Sequence, residues 1–299
     1  MNRPGKDRIS GASEITLDSI RFFADLIENS QAHTCEALSK ELIVSARKLA
    51  AAEPSFASLL NLASMVVHKS ALLTKESASL DEARIHLLAF LDEKTNATEL
   101  NAKKIASLAG ELISEGMVIS TFSRSSLVER SIVRTKEEGK SVRVVLSEGR
   151  PLFEGILLAR KLSESGIDTI LVTDTVLPVF LPRSDILLIG CDAVTERSFI
   201  NKAGTYPICL VAREHNVPVY CLCDTSKFVS SGTPLLRIEE RDPGEVVNFG
   251  LPNVSVKNIY FEEIPLKLVK AFVTESGYLS PDEASVLAEA VELAEDLES

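Results

Sequence analysis

Residues 141–151 read Ser-Val-Arg-Val-Val-Leu-Ser-Glu-Gly-Arg-Pro, and the pattern of the chain changes at this stretch. Val142–Leu146 is a run of mostly β-branched residues that predicts a short strand, and the residues from Pro151 onward predict a helix. A second helix is predicted from about Thr205 to His215. Three further strands are predicted: Asp168–Thr173, Asp185–Ile189 and Val217–Leu222. Strands that alternate with helices build βαβ units, so we expect an α/β fold with a mainly parallel sheet.

The residues before this stretch predict helices. Apolar side chains recur there at steps of three and four residues, as in the sets Ile20, Phe23, Ala24, Ile27 and Leu38, Leu42, Ala46, Leu49. Near the other end, Ser280-Pro281 followed by two acids is typical of a helix start, and we expect that helix to run to the C-terminus. The sequence therefore predicts a helical N-terminal domain over residues 1–139 and an α/β domain over residues 140–299.

Composition excludes several classes of protein. The 299 residues carry 32 basic and 43 acidic side chains, and the net charge of −11 argues against nucleic-acid binding. Five cysteines are too few for a disulfide scaffold, and no apolar run reaches the ~18–20 residues of a membrane span. The first 20 residues lack the apolar block of a signal peptide. We expect a cytoplasmic protein with reduced thiols, and an acidic end from Asp282 onward that could face a basic partner.

Polar residues follow each predicted strand. In open α/β sheets, ligands bind beyond the carboxyl ends of the strands. The segments at this edge are Ser147–Pro151, Asp174, Gly190–Asp192, Asn201–Thr205 and Cys223–Lys227. Part of this polarity is ordinary, because Asp, Ser and Gly also form turns.

Two of these segments place a cation at a predicted helix start. Lys202, with Gly204 and Thr205, stands before one helix, and Arg150 stands before another. A helix start with free N–H groups and a nearby cation is an anion site, so we expect a small phosphorylated ligand. Asp192 is the candidate general acid or base beside this site; the alternative is a loop aspartate that caps or turns the chain.

No metal or cofactor is predicted. Cys221 and Cys223 lie two residues apart on a predicted strand and therefore face the same side. Two buried core thiols are the favoured interpretation, with a redox or metal pair as the alternative. Neither a G-x-G-x-x-G motif after a strand nor a Walker-type loop is present.

Several motifs occur in an order and spacing that resemble one superfamily. They are Glu148-Gly-Arg-Pro151, Gly190-Cys-Asp-Ala-Val194, Asn201-Lys-Ala-Gly-Thr-Tyr206, Val217-Pro-Val-Tyr220, Lys227-Phe228, Ile238-Glu-Glu-Arg241 with Glu245-Val246, and Asn258–Pro265 with Val273–Gly277. The chain resembles the alpha, beta and delta subunits of translation initiation factor 2B, a superfamily that also contains methylthioribose-1-phosphate and ribose-1,5-bisphosphate isomerases. The resemblance is clear from about residue 116 to 281.

The resemblance implies a Rossmann-like C-terminal domain, which also carries the ligand site and a dimer interface. The isomerases use an aspartate and a cysteine at the sugar. Asp192 matches that aspartate, and Asn201 and Lys202 match an Asn-Lys pair that contacts the ligand. Thr121 stands where the family has its cysteine. A threonine hydroxyl is far less acidic than a thiol of pKa ~8.5, so it cannot replace a cysteine in proton transfer.

Two further matches lie at the N-terminal side. The isomerases have an Arg-Gly-Ala loop, and Ser10-Gly11-Ala12 is the nearest match here, without the arginine. Ser123-Arg124 resembles the Ser-Arg of the non-catalytic initiation-factor alpha branch. We therefore expect Gly11, Ala12 and Arg124 among the ligand contacts, together with Lys227 at the sheet edge.

Three hypotheses follow. The first is a non-catalytic initiation-factor-2B-like protein that binds a sugar or nucleoside phosphate and acts through self-association, as a homodimer or larger, or through a translation-factor partner. The second is a diverged aldose–ketose isomerase of a phosphorylated pentose, in which Asp192 works with a substitute for the thiol. The candidate substitutes are Ser120, Thr121, Ser123 and Cys191. The third is a scaffold with an empty site.

Overall fold

The computed structural model describes residues 11–250 and 252–298. Its N-terminal region consists of helices α1 (Ala12–Asn29), α2 (Cys35–Ala52), α3 (Ala57–Lys75) and α4 (Leu80–Glu111). The apolar residues that predicted α1 and α2 meet in a buried core, where Phe23 and Ile27 share one cluster with Leu38 and Leu42. The helical pattern predicted for this part of the chain is confirmed.

The remaining elements follow in chain order. They are β1 (Val118–Thr121), α5 (Ser126–Glu137), β2 (Arg143–Ser147), α6 (Glu154–Glu164), β3 (Asp168–Val172), α7 (Leu177–Phe180), β4 (Ile186–Gly190), β5 (Ala193–Val194), β6 (Ser198–Lys202), α8 (Thr205–Glu214), β7 (Val219–Leu222), β8 (Phe261–Pro265), β9 (Ala271–Thr274), β10 (Gly277–Leu279), α9 (Pro281–Glu289) and α10 (Glu295–Glu298). The α/β fold class is confirmed.

The main sheet has the strand order β10-β9-β7-β4-β1-β2-β3. All neighbouring pairs are parallel except β10 with β9. A smaller antiparallel sheet, β5-β6-β8, was not predicted. Helices cover the main sheet, so its central strands are buried on both faces, which explains why they read as continuous apolar runs.

The helical prediction was wrong at β1. This strand lies inside the predicted helical domain, residues 1–139, yet it occupies a central position between β4 and β2. Its four residues, Val-Ile-Ser-Thr, are too few to display a period of two. The sheet therefore begins at Val118, and the division into domains at residues 139 and 140 stays a prediction.

The C-terminal helix is shorter than predicted. The N-cap is as expected, with Ser280 accepting a hydrogen bond from the N–H of Glu283, but α9 ends at Glu289. The chain then leaves the helix, and Leu297 on α10 is buried in the core of the N-terminal helices. Burying that side chain requires a change of direction that a continuous helix would not allow.

Among the described residues, no helix has the length and apolar character needed to cross a bilayer.

Candidate ligand-binding site

A cavity of about 320 Å³ lies at the carboxyl edge of the main sheet. Its walls include residues that follow three adjacent strands: Ser123–Ser126 after β1, Gly190–Asp192 at the end of β4, and Lys227 after β7. The small sheet, the start of α1, the turn before α3 and residues 240–245 close the other sides. The cavity therefore lies at the edge where the sequence predicts ligand contacts.

The structure brings some of the predicted site residues to this cavity and leaves others outside it. Those that line it are Gly11, Arg124, Asp192, Asn201, Lys202 and Lys227, with Ser123 and Cys191 from the second hypothesis. Those that do not are Thr121, Arg150, Gly204 and Thr205, with Ser120. Ala12 is the first residue of α1, and Ser10 lies outside the described residues.

Asp192 lies in the loop between β4 and β5. Its N–H donates to the carbonyl of Ile200 at 2.8 Å, and its carbonyl accepts from the N–H of Ala57 at 3.1 Å, so the start of α3 holds the loop in place. Within the described part of the chain, no side chain donates a hydrogen bond to the Asp192 carboxylate. This leaves its oxygen atoms available to a ligand.

The electrostatic surroundings of Asp192 suit proton exchange. Burial raises the pKa of its carboxyl group to about 7, although the ammonium groups of Lys227 and Lys202 act in the opposite direction. Near neutral pH the group is therefore populated in both protonation states. This is the condition under which a carboxyl group serves as general acid or base.

Three of the cavity's cations are already paired with carboxylates. The Lys202 ammonium lies 2.7 Å from Glu154 Oε1, with Lys202 buried and Glu154 mostly buried, and 4.5 Å from the centre of the Tyr260 ring. Arg124 Nη2 lies 2.9 Å from Glu14 Oε1, and Arg241 Nη2 lies 2.6 Å from Glu53 Oε2. A bound phosphate would have to share these cations with carboxylates.

Lys227 is held differently from the other cations. It is buried and donates to the carbonyl of Cys191 at 2.7 Å. Glu154 has an unused acceptor, because its buried Oε2 has no hydrogen-bond partner among the described residues. A buried acceptor without a donor is costly, but this oxygen has almost no surface exposed to the cavity and is not a ligand contact.

The helix start predicted as a phosphate site is occupied by the protein itself. The N–H groups of Gly204 and Tyr206, at the start of α8, donate to Oε1 of Glu262 at 2.7 and 2.8 Å. The Thr205 hydroxyl donates to the carbonyl of Lys202 and accepts from the Asn201 amide. In this structure Gly204 and Thr205 shape the turn that presents Asn201 and Lys202 to the cavity.

The second predicted anion site also differs. Helix α6 begins at Glu154, not at Pro151, and the N–H groups of Gly149 and Arg150 donate to the Asp174 carboxylate at 2.9 and 2.7 Å. The Arg150 guanidinium stacks on the Phe153 ring at 4.9 Å, outside the cavity lining. A protein carboxylate therefore again takes the place of the expected ligand anion.

Thr121 is buried at the carboxyl end of β1 and does not line the cavity. The chain turns immediately afterwards, with Ser123 in the left-handed region at φ +61°, and Ser123 and Arg124 then reach the cavity wall. The Thr121 hydroxyl, at the position of the family cysteine, thus lies outside the cavity lining.

Sequence reasoning missed several charged and aromatic groups of the lining, among them Glu53, Glu154, Arg241 and Tyr260. Arg241 and Tyr260 belong to motifs that carry the family resemblance, which was a usable signal. Glu53 and Glu154 had none, because they act as carboxylate partners of distant cations, and the pairing exists only in the folded chain.

Comparisons with known proteins add a family and its relatives. A family model described as the initiation factor 2 subunit family matches residues 8–281. A protein of Pyrococcus horikoshii described as translation initiation factor eIF-2B subunit 2-like is 31% identical over 92% of this chain and 93% of its own length. The ribose 1,5-bisphosphate isomerase of Archaeoglobus fulgidus is 30% identical over 93% of this chain and 88% of its own.

A solved structure agrees with the fold. The crystal structure of the Pyrococcus horikoshii translation initiation factor eIF-2B superposes with a TM-score of 0.80, at 31% identity, and covers 93% of this chain and 94% of that one. Relatives with two kinds of name, initiation factor and isomerase, are thus similar to this chain over most of its length.

Proposed function

This chain belongs to the initiation factor 2 subunit family, and we propose that it binds a sugar or nucleoside phosphate in the cavity without converting it. One observation carries the proposal. Asp192, Asn201 and Lys202 line the cavity, whereas Thr121, at the position of the family cysteine, does not reach it. The ligand contacts that the resemblance implies are kept, and the acidic thiol that the isomerases use is absent.

The chemistry of the walls supports a ligand with hydroxyl groups as well as an anionic group. The Asp192 carboxylate, in the cavity lining, can accept hydrogen bonds from sugar hydroxyls. Arg124 and Lys227 supply positive charge, and the Tyr260 ring offers an apolar face. Because the walls also carry several carboxylates, a bare phosphate ion is a poor match and a phosphorylated sugar is a better one.

We expect no turnover because the site lacks a second group for proton transfer at the position of the family cysteine. An aldose–ketose isomerisation moves a proton between neighbouring carbons, and therefore needs groups that accept and return it near neutral pH. Asp192 can be one such group. A second group of comparable acidity at the place of Thr121 is missing, since an alcohol is far less acidic than a thiol.

Calorimetry with sugar phosphates and nucleotides tests the binding. We expect one ligand to bind per chain, and Asp192→Asn to weaken binding about tenfold or more, because the substitution keeps the shape and removes the charged acceptor. Asp168→Asn, on the exposed edge strand β3, is the matched control and should bind like the unmodified protein. Failure of every phosphorylated sugar and nucleotide to bind would contradict the proposal.

The isomerase remains a second candidate for one specific reason. The pKa of Asp192 is raised to about 7, and Cys191 and Ser123 border the same cavity. Incubation with phosphorylated pentoses, followed by product analysis, decides between the two. Turnover that Asp192→Asn abolishes would establish the isomerase and refute the non-converting binder.

We also propose that the chain acts in the cytoplasm as a homodimer or larger assembly, or with a translation-factor partner. The family resemblance supports this, because members pair through the C-terminal domain. Light scattering coupled to gel filtration should give at least twice the 32.5 kDa mass of one chain. A single-chain mass at micromolar concentration would contradict self-association.

A further inference from the structure

Three cysteines from two neighbouring strands meet beneath the cavity. Cys221 lies on β7, Cys223 follows the end of β7, and Cys191 follows the end of β4. The two strands are parallel neighbours, with Ile189 opposite Cys221, and this register carries Cys191 towards Cys223. The three sulfur atoms all lie within 4.8 Å of one another, and all three residues are buried. We propose that these three thiols form a binding site for a thiophilic divalent cation, Zn²⁺.

The spacing of the sulfur atoms is close to what zinc requires. Zn–S bonds are about 2.3 Å long, so two sulfur ligands of a tetrahedral zinc ion lie about 3.8 Å apart. Sulfur atoms that lie within 4.8 Å of each other need to approach by about 1 Å at most. Small side-chain rotations supply this movement, and the backbone pairing of β4 with β7 is left intact.

The charge of the site favours a divalent ion. Cysteine binds zinc as thiolate, so three protons leave to solvent and the zinc with three thiolates carries one net negative charge. The buried ammonium of Lys227 bonds the carbonyl of Cys191 and supplies one positive charge, which acts on Cys191 and Cys223 and also on the carboxylates of Asp224 and Asp192. A monovalent ion with the same three thiolates would leave the site one unit more negative than a divalent ion does.

The cavity gives the ion a path to the cluster, because Cys191 is one of the cavity's lining residues. Among the described residues only these three donors come together. Zinc ions with three protein ligands keep the fourth position for water or a bound molecule.

A buried cysteine by itself does not indicate a metal, since the thiol also packs as a small apolar group. Cys209 on α8 shows the difference within this chain. It is equally buried but lies outside the cluster. Cys209 therefore serves as the matched control for the three clustered cysteines.

Titration of the reduced, metal-free full chain with Co²⁺ and then Zn²⁺ tests the site. We expect one equivalent of Co²⁺ to produce a sulfur-to-cobalt charge-transfer band of the intensity of three thiolates, and Zn²⁺ to abolish the band. This readout needs no variant. It also uses no phosphorylated ligand, so its outcome is independent of the proposed function.

Variants then assign the ligands. Cys191→Ser, Cys221→Ser and Cys223→Ser should each lower the zinc affinity at least about tenfold and reduce the cobalt band, whereas Cys209→Ser and Cys35→Ser should behave like the unmodified protein. Circular dichroism of the metal-free variants checks that they are folded. Absence of the band in the unmodified protein, or a band that survives in Cys191→Ser, would overturn the proposal.

Discussion

Gly204 occupies a position where a side chain has no room. Its φ is +109°, and a Cβ placed there would lie 2.8 Å from the ring of Phe122. The glycine lets the chain turn from β6 into α8 directly against this ring. The same turn holds Asn201 and Lys202 at the cavity wall, so a backbone requirement at one residue sets the position of two candidate ligand contacts.

Gly204→Ala is expected to destabilise the protein by more than about 2 kcal/mol, because a strained backbone conformation is combined with a steric clash. Gly116→Ala is the matched control, since Gly116 also has a positive φ (+79°) but open space around it, and should cost about 1 kcal/mol. Urea unfolding of both variants measures the difference. Equal losses would show that the contact with Phe122 is unimportant.

The salt bridge between Lys202 and Glu154 is a second contact between individual residues that shapes the site. Lys202→Met leaves the Glu154 carboxylate buried without its cation, and we expect a loss of about 3–5 kcal/mol in the free energy of unfolding. The double variant with Glu154→Gln should recover much of that loss, because the uncompensated charge is gone. Denaturant unfolding of the single and double variants measures this coupling.

An exposed pair provides the control for this cycle. Lys161 and Glu164 lie 3.1 Å apart on α6 and are both exposed, so Lys161→Met should change stability by less than about 1 kcal/mol. A loss for Lys202→Met as small as that for Lys161→Met would mean that water reaches the buried pair.

The start of helix α8 lies against a carboxylate from strand β8. Glu262 on β8 accepts hydrogen bonds from two N–H groups at the start of the helix, and its charge is favourable at the positive end of the helix dipole. The protein itself therefore supplies the acceptor for the free N–H groups at the start of α8. The phosphate site predicted from Lys202, Gly204 and Thr205 is closed for this reason.

Glu262→Ala is expected to lower stability by about 1 kcal/mol and to make the melting temperature rise with inorganic phosphate, because the freed N–H groups can then bind an anion. The unmodified protein should show a smaller rise at equal ionic strength. Glu263→Ala removes the neighbouring exposed carboxylate, which bonds Ser198 instead, and is the control. Equal phosphate responses of the two variants would contradict this explanation.

The C-terminal segment packs against the N-terminal helices. After α9, the N–H of Ala294 donates to Ser64 Oγ at 2.7 Å, and Arg47 bonds the carbonyl of Asp296. Leu297 then packs into the core of the N-terminal helices. A chain end that carries seven acids and no base is thus fixed by apolar burial and by hydrogen bonds to its backbone.

Leu297→Ala is expected to destabilise the N-terminal helices by about 2–3 kcal/mol, because it removes a buried leucine side chain. Val286→Ala, at an exposed position on α9, should have little effect. Hydrogen exchange should show the loss in α2 and α3, which α10 contacts. Unchanged exchange in these helices would show that the end of the chain adds no stability.

The secondary structure that was predicted well comes from long or strongly patterned segments. The helices around Phe23 and Leu42, the strand β2 and the cap at Ser280 carry their signals in neighbouring residues. The strand β1 and the small sheet β5-β6-β8 were missed, since two to five residues display too little of a repeating pattern. The fold class followed from the sequence because alternation of strands and helices is a local property repeated along the chain.

The residue pattern alone was enough to predict the α/β fold, the family resemblance and the edge of the sheet where ligand contacts are expected. Which polar groups face the cavity, and which bond to other groups of the protein, depends on the tertiary structure. Glu154 pairs with Lys202, Glu262 closes the start of α8, and Cys191 joins Cys221 and Cys223. These partners lie about 30 to 60 positions apart in sequence, and strand order and register bring them together. Hydrogen bonding and charge pairing act over a few ångströms in space, so no local pattern in the sequence could reveal them.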